Sequence, residues 1–124
     1  MFKLLATHFK GTPHYAAVLE LFIETTWQTE LGQLLDLTSQ PAPAVGAIDL
    51  DRFTLERYKQ IVKHKTAYYT FYLPVACGLV LAGLASEAAL AESRAILLAM
   101  GEYFQVQDDY LDCYADAAVL GKVG

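Results

Sequence analysis

The chain has 124 residues, 55% of them hydrophobic and 19% charged, and a formal net charge of -5. That length supports one modest core, with residues 1–124 as a single unit and no second domain, and the acidic balance argues against free nucleic acid as a partner. So apolar a composition in so short a chain implies that it packs against something further.

The start, Met1 to His8, is too short an apolar run for a signal peptide. Thr12-Pro13 reads as a helix entry, an N-cap followed by proline at the first helical position. From about His14 to Leu37, Val18, Leu19, Phe22, Ile23, Trp27, Leu31, Leu34 and Leu35 recur at helical spacing. Gln33 and Asp36 fall three apart and share a face of that helix. Thr38 to Gly46 contains Pro41, Pro43 and Gly46 and is expected to be a surface loop between helices.

A second helix is expected to begin near Asp51 or Thr54, with Phe53, Tyr58, Ile61 and Val62 on one side. Lys63-His64-Lys65 then precedes Thr66 to Ser86, 21 residues without a charge. About 20 apolar residues span a bilayer, so this run has two readings, a buried helix or a membrane span. Its three tyrosines, Pro74 and glycines favour the buried helix, with no membrane span. Pro74 cannot donate to the Thr70 carbonyl, so a kink or break is expected between about Lys65 and Pro74. Gly83 is a fitting helix end. Ser86, followed by Glu87, caps a third helix that ends near Tyr114 or Asp116. No stretch alternates like a strand, and nothing repeats. The fold is expected to be all-α, with three to four long helices and one kinked near Pro74. Cys77 and Cys113 stand in neither CxxC nor metal-ligand spacing, which fits a reducing compartment without a disulfide framework.

The densest chemistry lies at Gln105-Val106-Gln107-Asp108-Asp109-Tyr110-Leu111-Asp112. On a helical wheel Gln105, Asp108, Asp109 and Asp112 fall inside one arc of about 100°. Apolar and aromatic residues fill the rest of the turn, so this helix is expected to be buried on most sides. Two readings stand. One is a solvated acidic face, the usual fate of an aspartate run. The other is a cation site, because buried carboxylates must be paired, metal-bound or protonated. A divalent cation with oxygen preference, Mg²⁺ first, suits the second. Lys65, at the expected kink, and Lys122, between two glycines, supply positive charge that would neutralise a diphosphate held by such a metal. His8, His14 and His64 show no partner pattern.

The stretch FQVQDDYLD, with GKVG shortly after it, resembles the second aspartate-rich motif of the trans-prenyltransferases, the polyprenyl synthetase family, in the form most similar to eukaryotic-type farnesyl diphosphate synthases. The likeness continues in QTELGQ and LDL (Gln28–Gln33 and Leu35–Leu37), in Arg52-Phe53-Thr54, Arg57-Tyr58 and Lys63–Tyr69, and in Phe71-Tyr72-Leu73-Pro74. It covers nearly the whole chain in one register. The resemblance implies a fragment of the isoprenoid-synthase helical bundle. It implies Asp108 as a direct Mg²⁺ ligand with Asp109 and Asp112 assisting, and Lys65 and Lys122 on the diphosphate of an allylic substrate, with Gln33 near the same site. It implies Thr66, Tyr69 and Gln105 presenting oxygens to a developing carbocation. The implied reaction is Mg²⁺-dependent head-to-tail condensation of isopentenyl diphosphate with dimethylallyl or geranyl diphosphate, in a cytoplasmic enzyme that is a homodimer at full length.

The first aspartate-rich motif of the family is absent from these 124 residues, as is the arginine pair that follows it. The chain is therefore expected to be a central fragment, inactive alone. A reading from another class is a non-catalytic helical module that dimerises or docks on a full-length homologue, with Val18, Phe22 and Trp27 as an exposed patch.

Overall fold

The computed structural model describes residues 1–39 and 49–121. Lys122, and the expected loop from Gln40 to Gly46, lie outside the described residues. Every regular element among the described residues is helical: α1 (Phe2–Phe9), α2 (Tyr15–Leu37), α3 (Leu55–Val62), α4 (Leu73–Leu81), α5 (Glu87–Tyr114) and α6 (Ala117–Leu120). A single 3-10 turn, Leu50–Arg52, precedes α3, and a π-helical segment, Lys63–Tyr72, joins α3 to α4. The all-α expectation holds.

Local chemistry sets the helix ends. Thr54 takes the N-cap of α3, its side chain accepting from the Arg57 N–H at 3.2 Å, while Asp51 falls in the 3-10 turn. Ser86 caps α5 in the same way, accepting from Ala89 N–H at 3.1 Å. Such caps are each worth about 1 kcal/mol. Gly83, at φ 72°, closes α4. Its N–H bonds to Val80 C=O, and Leu84 N–H reaches back to Leu79 C=O, the paired pattern that a left-handed residue permits. At α2 the entry differs from expectation. His14 is the N-cap, without a side-chain bond, and Thr12-Pro13 stands ahead of it.

The expected kink before Pro74 takes the form of the π segment. The Leu73 N–H bonds to the Tyr68 carbonyl, five residues back. Proline removes one donor from the i→i−4 ladder, and a shift to i→i−5 bonding is one way a helix absorbs such a disturbance. The uncharged run is thus divided between the π segment and α4. Among the described residues, no helix is long and apolar enough to cross a membrane.

The π segment lies between α2 and α5. Two small buried clusters hold the bundle. Leu5, Val18 and Val80 bring α1, α2 and α4 together, with Phe22 and Cys77 against them. Tyr68, Tyr72 and Ala76 form the other, backed by Leu21, Leu90, Leu97 and Leu98. Val18 is therefore core, and Phe22 leans on it. Of the patch expected on α2 only Trp27 is exposed, in a row with Ile23, Leu31 and Leu34.

Two glycines let helices approach at backbone distance. A Cβ on Gly32 of α2 would strike the Lys65 backbone nitrogen and come within 2.7 Å of the His64 carbonyl carbon. A Cβ on Gly101 of α5 would strike the Ala67 side chain and lie 2.7 Å from its Cα. The second contact orients α5. Gln105, Asp108, Asp109 and Asp112 follow Gly101 at helical spacing on the same face, so seating Gly101 on Ala67 turns the acidic stripe inward. The expectation that α5 is buried on most sides fails. Gly101 is its one buried residue among those described, and Ile96, Met100, Tyr103, Val106, Tyr110 and Tyr114 are exposed. The helices in contact with α5 are the π segment, α3 and α4, and they meet the face that carries Leu90, Leu97 and Gly101 and continues into the acidic stripe.

Candidate functional site

A cleft of about 610 Å³ opens where α3 and the π segment face the ends of α2 and α5. Its walls include Asp36, Ser39, Thr54, Arg57, Tyr58, Ile61, Lys65, Thr66, Gln105 and Asp109. Two cations and two carboxylates thus share a cavity within the usual range for a small-molecule site. Thr54, Tyr58, Ile61 and Lys65 reach it from one face of a continuous helical run, and the Gly32 contact holds the backbone at Lys65 against α2.

The polar groups form a connected chain. The Tyr58 hydroxyl donates to Asp109 Oδ2 at 2.5 Å, across 51 residues of sequence. Gln105 Nε2 donates to Asp109 Oδ1 at 2.9 Å and lies 3.4 Å from Asp108 Oδ2. The Thr66 hydroxyl donates to Gln105 Oε1 at 3.0 Å. An ionised carboxylate only accepts, so Asp109 forces the Gln105 amide to turn its NH₂ that way and leaves the carbonyl for Thr66. Burial pushes the Tyr58 phenol above its ordinary pKa, and the bond to Asp109 adds to the shift. Tyr58 is therefore a neutral donor at physiological pH.

Toward α2, Lys65 Nζ donates to Asp36 Oδ2 at 2.5 Å. Both side chains keep about 40% of their surface in solvent, so this pair contributes only about 0–1 kcal/mol. Arg57 Nε donates to Ser39 Oγ at 2.6 Å. Ser39 in turn donates to Leu35 C=O at 2.7 Å, which ties α3 to the end of α2.

The structure brings Lys65, Thr66, Gln105 and Asp109 into one cleft, with Asp108 one hydrogen bond away. It does not bring in Gln33 or Tyr69, which are exposed and outside the lining. Asp112 is part-buried on the same face of α5 but does not line the cleft. The ammonium of Lys65 meets Asp36 rather than the acidic stripe. Among the described residues, no three His, Cys, Asp or Glu side chains form a group able to hold a metal alone. A Mg²⁺ ion does not require such a group, since it usually takes one or two carboxylates and completes its shell with water and phosphate oxygens. The oxygen-only donors Asp108 and Asp109 fit that role.

Arg57, Tyr58 and Asp36 were not singled out as site residues from sequence. The spacing of Tyr58 from Lys65 put both on one helical face, but a tyrosine among apolar neighbours reads as core.

The whole chain, residues 1–124, matches the family model described as "Polyprenyl synthetase". It is 53% identical over its full length to "Farnesyl diphosphate synthase" of Dictyostelium discoideum and 52% identical to "Farnesyl pyrophosphate synthase" of Gallus gallus. It covers 31% and 33% of those two proteins, so the chain spans about a third of the length of the curated relatives it matches. Among solved structures, 98% of the chain superposes on 36% of "T. Brucei Farnesyl Diphosphate Synthase Complexed with Homorisedronate BPH-6", with a TM-score of 0.85 and 38% identity.

Proposed function

Because the chain belongs to the polyprenyl synthetase family, we propose that it forms one wall of the metal–diphosphate site of a farnesyl diphosphate synthase-type prenyltransferase. The whole protein would condense isopentenyl diphosphate with dimethylallyl or geranyl diphosphate. The observation that carries this reading is the chain from Thr66 through Gln105 to Asp109, set in one cleft with Lys65 and Arg57.

The chemistry follows from charge. An allylic diphosphate ionises only if its leaving group is stabilised, and groups positioned for that task supply much of the rate enhancement. Lys65, which shares its ammonium with Asp36, would bind the departing diphosphate, and Lys122 would add a second cation. Asp108 would hold Mg²⁺, with Asp109 and Asp112 in support, and the bound ion would supply positive charge opposite the leaving group. Thr66 spends its proton on Gln105. Its oxygen lone pairs are then free for a cation developing at the allylic carbon. Gln33 and Tyr69 stand at exposed positions outside the cleft lining, and their roles would be played on a part of the site that this cleft does not include. A proton is lost from the condensed product in the last step.

The test is a condensation assay on the full gene product that carries this chain, with dimethylallyl or geranyl diphosphate, isopentenyl diphosphate and Mg²⁺. Mg²⁺-dependent turnover that falls by about 100-fold or more in Asp108→Asn supports the reading, and an unaffected Asp108→Asn enzyme contradicts it. The 124-residue chain alone should show no turnover at the rate of an intact synthase, since the first aspartate-rich motif is not part of it.

A second reading rests on the exposed row Ile23, Trp27, Leu31 and Leu34 of α2. Such a stripe suits a partner helix, consistent with a module that dimerises or docks on a full-length homologue. Sedimentation of the chain, alone and mixed with such a homologue, decides it. A monomer without affinity for the homologue contradicts this second reading.

A further inference from the structure

Asp109 differs from its neighbour Asp108 in how fully it is occupied. One lone pair on each Asp109 oxygen is committed, Oδ2 to the Tyr58 hydroxyl and Oδ1 to Gln105 Nε2. Among the described residues Asp108 is met at 3.4 Å by the same Nε2. Hydrogen bonds to an ionised acceptor are about twice as strong as neutral ones, so the two bonds hold the Asp109 carboxylate in place.

The Tyr58 bond is also the only link in this chain that comes from α3. Gln105 and Asp109 lie one turn apart on α5, and their mutual bond alone would allow both side chains to swing together. A hydroxyl reaching across from a second helix fixes the pair relative to Thr66. With Asp109 pinned as acceptor, the Gln105 amide has a single orientation, and the proton of Thr66 is directed to the Gln105 carbonyl oxygen.

We propose that Tyr58 is a positioning residue: it holds Asp109 as the fixed acceptor that orients the Gln105 amide and, through it, the Thr66 hydroxyl. This rests on the metal–diphosphate reading above and adds a residue of α3 that sets the geometry of Gln105 and Thr66.

The experiment uses the full gene product carrying this chain. Mn²⁺ binding is titrated in the presence of inorganic pyrophosphate, and the Gln105 side-chain amide is followed by ¹H–¹⁵N NMR. Groups that support a metal ligand typically affect metal affinity by about 10- to 100-fold. Tyr58→Phe should instead keep Mn²⁺ affinity within about threefold of the parent. Tyr58→Phe and Asp109→Asn should both move the Gln105 amide resonances, and the double variant should move them no further than the larger single change. Tyr110→Phe, on the exposed side of α5, should leave those resonances in place and controls for a general perturbation. An unmoved Gln105 amide in Tyr58→Phe overturns the positioning role. Failure of the underlying reading is separable: Asp108→Asn would then bind Mn²⁺ and pyrophosphate as the parent does, whatever the Gln105 amide shows.

Discussion

The π segment meets its neighbours in two ways. At Gly32 the contact is backbone against backbone, and at Gly101 it is backbone against the Cα and methyl group of Ala67, with no room for a further methyl group at either. A few residues away, at Thr66 and across from Tyr58, the contact runs through side-chain hydrogen bonds beside a cleft. The glycine contacts contribute no chemistry, yet they decide where Lys65 and Thr66 stand. The hydrogen bonds carry the chemistry but can loosen without moving a helix. The two regions should therefore respond to mutation very differently, the first through stability and the second through binding.

The largest effect is expected at the glycines. Gly32→Ala and Gly101→Ala force a methyl group into occupied space and should each cost about 2–3 kcal/mol, read as a lower urea midpoint with an unchanged slope. A loss below about 0.5 kcal/mol would mean that the helices are not in backbone contact. Next comes Tyr58→Phe, which strips a charge-assisted bond from Asp109 and should cost about 1–2 kcal/mol in the same titration. Asp36→Asn comes third, at less than about 1 kcal/mol, because Lys65 and Asp36 are both well solvated. Its sharper readout is pyrophosphate affinity, which should rise once Lys65 no longer shares its charge. The smallest change is expected for Tyr110→Ser on the outward face of α5, within about 0.5 kcal/mol. A larger loss there would show that this face is covered in the protein as it exists.

Much of this comparison was legible in the sequence. Helical periodicity in α2, the Ser86 cap, the Gly83 terminus and the disturbance before Pro74 each follow from local rules, and local rules suffice for an all-α chain. The grouping of Gln105, Asp108 and Asp109 followed from the helical wheel. Which way that stripe faces did not. Apolar neighbours implied a helix buried on most sides, but Gly101 turned out to set the orientation, and a glycine within a helix does not announce its partner. The pairing of Tyr58 with Asp109 spans 51 residues, beyond any spacing argument. Asp36 was noted for its shared face with Gln33, while its bond to Lys65 depends on how α2 crosses the π segment. The motifs FQVQDDYLD and QTELGQ carried the family resemblance, and the match over residues 1–124 bears it out.

The central claim is that the inward face of α5 and the Lys65 wall together form a Mg²⁺-dependent diphosphate half-site. It is tested most directly by ³¹P NMR of inorganic pyrophosphate at millimolar concentration with the 124-residue chain, with and without Mg²⁺, where even weak binding moves or broadens the signal. The signal should respond to the chain only when Mg²⁺ is present, lose that response in Asp108→Asn, and lose part of it in Lys65→Gln. A response that is independent of Mg²⁺, or one that survives in Asp108→Asn, would contradict it.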